Sequence, residues 1–461
     1  MADEKHNLIT WLGFTTEPDF SKARWLGHAI GYGFVTLYLC VFALLVGGLM
    51  WTITHVPDII GDVIYAKDPS EARWLLASLA ALTAVTSAAV ALPFTVLKTV
   101  YNRRQTEVAE QSHITDQINK AVENLGATRP SGDRNEPNLE VRIGGLLALE
   151  RIGRQNPEEH IQVMQILCSY IRENTNLFIK QSVDFAPDGR PNGDYVFPRS
   201  DLRMALDIIA RRGPDLKEIE KLRPEPYRLD FHGTDFRGLS LRHQDFESAI
   251  LSYAQFQGAD LEGVNLRLAQ LNNVEFESAS LYTADLSGSD MSFCDFEHAN
   301  LNNADLENAK IVLTDFIRSD LRDTSFRGSY INRVNFNGSR MQLSDFSGSY
   351  LNRVMFHGTN SIDTSLFIGA AICSSELALT TIENDQLRTM FGDGSVILAG
   401  KHATWENLPH WKRDHQLSQS LEPEEVGQEP IKSSEFHQAW YAWQDEIGFD
   451  RRTNRLKGHS D

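Results

Sequence analysis

The sequence lacks the residue patterns that usually carry enzyme chemistry. Among its 461 residues there are only four cysteines, isolated from one another, and fourteen scattered histidines. No Cys-x-x-Cys pair, Gly-x-Ser-x-Gly turn or His-Glu-x-x-His helix occurs. We therefore predict that the chain is not an enzyme and has no catalytic residue, metal or cofactor. The cysteines are expected to be free thiols in a reducing compartment.

Ionised side chains are absent from two long stretches near the N-terminus. Residues 30–54 and 75–97 are apolar throughout and contain no Asp, Glu, Lys or Arg. Each stretch is long enough to cross a bilayer as a helix of about 20 residues. We predict a membrane anchor over residues 1–98, with transmembrane helices near 30–54 and 75–97. The alternative is a pair of buried helices in a soluble domain.

The charges around these stretches predict their orientation. Lys22 and Arg24 precede the first stretch and Lys98 follows the second, whereas the loop between them is mostly acidic. The positive-inside rule then places both termini in the cytoplasm. Small residues at helical spacing in the second stretch favour close helix packing or a homo-oligomer. The absence of ionisable residues disfavours a transporter.

A five-residue rhythm dominates the second half of the chain. From Phe231 to Phe356 every fifth residue is large and apolar, and a small residue usually stands two places before it. A period of five fits neither a helix, at about 100° per residue, nor a strand whose side chains alternate between two faces. It fits a solenoid in which each five-residue unit turns one large and one small side chain inward.

A second period of twenty lies within the first. It predicts four units per coil, so residues twenty apart stack at the strand spacing of about 4.8 Å. One column of the predicted core contains Phe236, Phe256, Phe276, Phe296, Phe316, Phe336 and Phe356, and the next contains Leu241, Leu261, Leu281, Leu301 and Leu321.

Units such as Ala259-Asp260-Leu261-Glu262-Gly263 resemble those of the pentapeptide-repeat family. The resemblance implies a right-handed, four-sided β-helix, which we predict over residues 227–370, and no catalytic residue. The segment before it, with Val141-Arg142-Ile143-Gly144-Gly145-Leu146, is similar to the juxtamembrane region of bacterial membrane-anchored pentapeptide-repeat proteins. This second resemblance implies a multi-pass protein of the bacterial cytoplasmic (inner) membrane.

Residues 99–226 read as a small cytoplasmic α-helical segment between the anchor and the repeats. Apolar residues at helical spacing predict helices over 114–125, 139–152 and 200–209. Another helix is predicted to begin at Asn156-Pro157, with Asn156 as the N-cap and Glu159 as its capping-box partner.

Two further segments follow the repeats. Residues 371–412 are predicted to cap the open end of the solenoid, with a helix from Thr381 to Phe391. Residues 413–461 read as a polar linker, a helix and a basic tail. The helix has an aromatic stripe of Phe436, Trp440 and Trp443, which either docks on the chain itself or contacts a partner or a membrane surface.

The charge distribution along the chain limits the kinds of partner that it can bind. The chain carries a net charge of −18, and its acidic residues outnumber the basic ones most strongly over 230–307, which argues against nucleic-acid binding there. We predict a mixed fold, with two transmembrane α-helices, a helical segment and a β-helix, in a scaffold that presents the solenoid to a cytoplasmic protein.

Two alternatives stay open. One is a DNA-mimicking, topoisomerase-binding protein, since some soluble members of the family bind DNA gyrase with an acidic rod. The other is a self-assembling membrane effector or sensor in stress or phage defence.

Overall fold

The computed structural model describes residues 69–131, 134–182, 195–377, 380–398, 408–412 and 435–457, together with scattered positions between 36 and 65. The chain divides into two compact units, Met1–Asp116 and Gln117–Asp461.

The first unit contains most of a long helix, α1 (Pro69–Leu125), which includes the predicted span 75–97. Most of the other predicted span, 30–54, lies outside the described residues. In the part of the chain that the structure describes, no helix is both long and apolar enough to cross a bilayer. The two transmembrane helices therefore stay a prediction.

The second unit begins with a helical module. After the last turns of α1 come a two-stranded antiparallel hairpin, β1 (Thr128–Ser131) and β2 (Arg134–Pro137), and four helices. These helices are α2 (Leu139–Gln155), α3 (His160–Ser182), α4 (Ser200–Ala210) and α5 (Pro214–Lys221). Their apolar faces meet in one core that includes Ile118, Leu146, Leu149, Ile171 and Leu202.

The start of α3 differs from the prediction, and the helix predicted over 114–125 is the end of the longer helix α1. Asn156 does not cap α3 with its side chain; its Nδ2 instead donates to the Ile152 carbonyl at 3.2 Å, closing the end of α2. Pro157–Glu159 form one 3-10 turn, and the α-helix begins only at His160. The predicted capping box was wrong because Asn156 was already engaged by the preceding helix.

The helical module closes the first coil of the solenoid. Val196 forms a parallel bridge with Leu239, and its N–H donates to the Gly238 carbonyl at 2.8 Å. Asn176 accepts the Asp235 N–H at 2.9 Å. These contacts satisfy edge groups that would otherwise be open to other chains.

The solenoid follows, with one coil every twenty residues. Bridges such as Asp235↔Gln255 and Asp260↔Ser280 run in four columns, which give each coil four sides. Side 1 is a six-stranded parallel sheet. Its strands are β3 (Asp290–Ser292), β4 (Lys310–Val312), β5 (Tyr330–Asn332), β6 (Tyr350–Asn352), β7 (Ala371–Cys373) and β8 (Phe391–Gly392).

The predicted columns form the centre of this core. On side 2 the rings of Phe276, Phe296 and Phe316 stack with centroids 4.6 and 4.7 Å apart. The leucine column lies on side 3, and its members are buried. Small inward residues fill the corners, and buried hydroxyls there find backbone acceptors, as Ser329 Oγ does on the Phe326 carbonyl at 2.7 Å.

The repeats do not end where the sequence rhythm fades. Ser361 adopts a left-handed conformation (φ +60°) before a 3-10 turn, Ile362–Thr364, and the next coil is one residue longer. The register then resumes, since Tyr350 pairs with Ala371 and Phe367 stacks on Phe346 at 5.1 Å.

The coils therefore continue beyond the predicted boundary at residue 370, while the capping role of 371–412 stays a prediction. Bridges Glu376↔Ile397 and Asp393↔Lys412 continue the coils. The predicted helix 381–391 is short, α6 (Asn384–Arg388), and replaces part of one coil. Gln386 Nε2 seats it on the preceding 3-10 turn by donating to the Ile362 carbonyl at 2.8 Å.

The C-terminal elements lie against the side of the solenoid. They are α7 (Glu435–Glu446) and a small hairpin of β9 (Phe449–Asp450) and β10 (Arg455–Leu456). We refer to residues 435–457 as the brace.

Candidate protein-interaction surface

The brace covers the C-terminal part of side 1. Most outward positions of the solenoid are polar, but on this side Tyr350, Ala371 and Phe391 point outward and are buried beneath α7. The Phe436 ring packs edge-on against Tyr350 and Phe391, with centroids 6.1 and 5.4 Å away. An aromatic layer thus joins helix and sheet.

The predicted partner contacts Phe436, Trp440 and Trp443 are corrected by this arrangement. Their exposures are only 0, 5 and 7%. The three aromatic side chains dock on the chain itself, because the apolar outward residues of side 1 form a surface for them. The outward apolar residues at spacing twenty were the sequence signal for this docking.

Two polar contacts and a glycine column position the brace. Trp440 Nε1 and Gln444 Nε2 both donate to the Gly369 carbonyl, at 2.9 and 2.8 Å. The Phe449 ring lies over Gly348 and Gly369, where a Cβ atom would stand 2.8 and 2.6 Å from it. This corner, between sides 4 and 1, is therefore occupied by the chain itself.

Side 2 is outside the brace and carries a ladder of carboxylates. Glu275, Asp295 and Asp315 occupy the same outward position in three successive coils and pair in register, Glu275↔Asp295↔Asp315. Among the described residues, none of the three lies within ion-pair distance of a Lys or Arg. We call these three residues the acidic ladder. Like charges directly opposite one another on neighbouring strands are destabilising.

Several carboxylates on the other sides are paired with arginine. Asp260 bonds Arg242, Asp345 bonds Arg327, and the two oxygens of Asp320 accept from Arg322 at 2.7 and 2.6 Å. The basic residues of the later coils are largely consumed in such pairs. The acidic ladder, with three carboxylates in register, differs from these paired positions.

Asp295, the central residue of the acidic ladder, has a raised pKa. Partial burial raises the pKa of the Asp295 carboxyl, and the neighbouring carboxylates Glu277, Asp315 and Glu297 raise it further. The Glu297 N–H, which donates to Asp295 at 2.8 Å, acts in the opposite direction without cancelling the shift. Ionised Asp295 is thus held at a free-energy cost that a cationic partner would relieve.

Side chains of catalytic type are engaged in structural roles. Burial raises the pKa of the Cys168, Cys294 and Cys373 thiols to about 12, so these sulfurs stay protonated. Within the described residues no group of three or more His, Cys, Asp and Glu side chains is arranged to hold a metal ion.

Comparison with known proteins agrees with the solenoid geometry. The family model for a pentapeptide repeat region matches residues 229–306, and the model for pentapeptide repeats (8 copies) matches residues 289–328. The chain carries a pentapeptide-repeat β-solenoid, as predicted. No curated protein matches the chain significantly.

Solved structures include similar solenoids. QnrB1, a plasmid-mediated fluoroquinolone resistance protein, is 14% identical over 35% of this chain and 84% of its own, with a TM-score of 0.24. HetL, a pentapeptide repeat protein involved in heterocyst differentiation regulation in the cyanobacterium Nostoc sp., is 18% identical over 36% of this chain and 83% of its own, with a TM-score of 0.20. These likenesses concern the solenoid alone.

Proposed function

We propose that this chain is a non-enzymatic, membrane-anchored interaction protein of bacteria whose solenoid binds a cytoplasmic protein through side 2. The observation that carries the proposal is the acidic ladder, in which three carboxylates pair in register and none forms an ion pair with Lys or Arg among the described residues. A fold gains nothing from this arrangement, and departures of this kind collect at functional sites. A partner surface that carries Lys or Arg would complement it.

The anchor is supported by the sequence and by exposed apolar side chains of α1. Leu76 and Phe94, both within the uncharged run 75–97, are 52 and 70% exposed. Trp74 precedes this run and Tyr101 follows it, and aromatic residues are enriched where helices leave the bilayer. With both termini in the cytoplasm, the solenoid would be on the same side as its partner.

The test is cross-linking of the tagged full-length protein in its native membranes, followed by mass spectrometry. We compare the wild type with Asp295→Asn/Asp315→Asn, which neutralises two ladder carboxylates. The matched control is Asp285→Asn/Asp305→Asn, which removes the same charge from consecutive rungs of side 4. We expect one reproducible partner that is lost in the ladder variant and kept in the control.

Other outcomes separate the alternatives. Equal recovery from both variants would exclude side 2 as the binding surface. Recovery of gyrase subunits would favour the topoisomerase-binding alternative, and recovery of the protein alone would favour a self-assembling effector. Extraction of the protein from membranes by alkaline carbonate would overturn the anchor independently of these results.

A further inference from the structure

A small cavity lies where α5 meets the first coil of the solenoid. Its volume is about 70 Å³, and charged side chains form much of its lining. Four of these side chains are basic, namely Arg212, Lys217, Lys221 and Arg228, and two are acidic, namely Glu220 and Glu247. The lining is thus basic although the chain as a whole carries a net charge of −18. A cavity of this kind favours an anion.

Arg212 brings buried donors to this cavity that have no acceptor. Its side chain is only 2% exposed, and neither Nε nor Nη1 has a hydrogen-bond partner among the described residues. Glu220 Oε1 lies 3.5 Å from Nε, and Asp245 Oδ2 lies 3.8 Å from Nη2. Both carboxylates are within ion-pair distance, but neither forms a hydrogen bond with the guanidinium. Buried donors in native proteins normally contact a protein acceptor, a water molecule or an ion.

The carboxylates near Arg212 are engaged by other groups. Glu220 Oε1 lies 2.8 Å from His160 Nε2, and Asp245 Oδ2 lies 2.6 Å from Lys217 Nζ. These carboxylates balance the charge of Arg212, but their oxygens are held by other donors. The N–H groups of Arg212 are therefore left for a separate acceptor.

A second set of donors lines the same cavity at Arg228 and Leu229. In the part of the chain that the structure describes, the Arg228 guanidinium has no carboxylate within ion-pair distance. The backbone N–H groups of both residues also lack a hydrogen-bond partner there, although Leu229 is buried. Guanidinium and backbone N–H groups are the donors that proteins commonly use to bind phosphate oxygens.

We propose that this cavity binds a phosphate group, either inorganic phosphate or the phosphate of a phosphomonoester. The N–H groups of Arg212 and Arg228 donate to its oxygens, and Lys221 adds positive charge. A water molecule needs only about 10–15 Å³ of such space, so the cavity can enclose a group with several oxygen atoms. A phosphomonoester carries a charge of about −1.5 to −2 at pH 7 and has three strong acceptor oxygens, which suits a basic lining with several free donors.

The test is equilibrium dialysis of radiolabelled inorganic phosphate against the full-length protein in nanodiscs of zwitterionic lipid, with ionic strength held constant by potassium chloride. Empty nanodiscs give the background. We expect saturable binding of one phosphate per chain with a Kd below about 1 mM. Unlabelled competitors then distinguish the two sources. Displacement by glycerol 3-phosphate at a lower concentration than by inorganic phosphate assigns the site to a phosphomonoester, and the reverse order assigns it to inorganic phosphate.

The variant Arg228→Gln removes a basic side chain from the lining and should weaken phosphate binding at least about tenfold. The matched control is Arg223→Gln, which removes the same charge from an exposed residue outside the lining and should bind phosphate as the wild type does. Arg212→Lys keeps the charge that faces Glu220 and Asp245 but removes the unpartnered Nε and Nη1 donors. It should also weaken binding at least about tenfold.

Several results would overturn the proposal. Absence of saturable binding to the wild type would leave water as the occupant of the cavity. Wild-type affinity in Arg228→Gln, or an equal loss in Arg223→Gln, would show that the lining does not hold the phosphate. Displacement by acetate as readily as by phosphate would indicate a site for any small anion. Thermal unfolding followed by circular dichroism checks that each variant is folded, and if Arg212→Lys is not, the comparison of Arg228→Gln with Arg223→Gln decides.

Discussion

Single residues show how the solenoid core depends on stacking between coils. Phe296 is fully buried and its ring lies between those of Phe276 and Phe316, nearly parallel to both. Each ring therefore belongs to two interfaces at once, and the loss of one ring leaves a gap that its neighbours cannot close without shifting their own coils.

We predict that Phe296→Ala lowers the free energy of unfolding by about 3–5 kcal/mol, as measured by denaturant titration. The control is Phe293→Ala, three positions earlier, whose ring is half-exposed; it should cost less than about 1 kcal/mol. Similar losses for the two variants would mean that the column does not carry the core.

Asp201 is a buried charge whose role is also structural. Its side chain is fully buried at the start of α4, where Arg199 contributes two bonds of 2.7 and 2.9 Å and the Tyr170 hydroxyl donates at 2.5 Å. Burial alone raises the pKa of Asp201, but the bonds from Arg199 and Tyr170 outweigh it and hold the pKa below 3.8. The carboxylate thus ties α3 and α4 together.

We predict that Asp201→Asn lowers the free energy of unfolding by about 3–5 kcal/mol at neutral pH, because Arg199 is left without its buried partner. The folded-state pKa is depressed, so this contribution is present above the unfolded value of 3.8 and is lost as pH falls through the folded value. The difference between wild type and variant should therefore shrink below pH 3.8 or so in acid titrations followed by circular dichroism. A pH-independent difference would exclude the ionic role.

At the scale of elements, some coils of the solenoid could be predicted from the sequence and others could not. The columns at spacing twenty were predictable because every coil of the same length repeats the same inward positions. The one-residue insertion near Ser361 shifts the later repeats out of the strict period of five. The sequence pattern therefore did not predict these repeats, although Phe367 and Ile372 still face inward. The docking of the brace was predictable only as one of two alternatives, since it depends on a surface far away in the sequence.

The glycine column offers a test of the brace. At Gly369 (φ +74°) a Cβ atom would lie 2.6 Å from the Phe449 ring, whereas at Gly358 (φ +67°) it would meet nothing within 4 Å. Both substitutions by Ala carry the backbone cost of a positive φ, about 1–2 kcal/mol. Only Gly369→Ala also displaces the brace.

We therefore predict that Gly369→Ala, but not Gly358→Ala, exposes Trp440 and Trp443 to solvent. The emission of tryptophan should shift to longer wavelength, and the exposed Tyr350 and Phe391 should promote aggregation in gel filtration. Identical spectra for the two variants would show that the brace does not depend on the glycine column.

At the scale of the whole molecule, the distribution of charge separates what stabilises the fold from what we assign to binding. Asp260, Asp320 and Asp345 on sides 3 and 4 form ion pairs with arginine, whereas the three residues of the acidic ladder on side 2 form none among the described residues. The sequence predicted an acidic first part of the solenoid, but it could not show all the ion pairs, because partners such as Arg242 and Arg327 come from a neighbouring coil.

Asp295 in the acidic ladder should therefore lower the stability of the fold while it contributes to binding. The folded-state pKa of Asp295 is raised, so its ionised form costs stability above the unfolded value of 3.8, and the cost disappears when pH falls below that value. We predict that Asp295→Asn raises the free energy of unfolding at neutral pH by about 0.5 kcal/mol, with no gain in acid. The same variant should weaken partner binding and its dependence on salt. A variant that is destabilised at neutral pH would show that the ladder serves the fold, and the case for side 2 as a binding surface would lose its energetic basis.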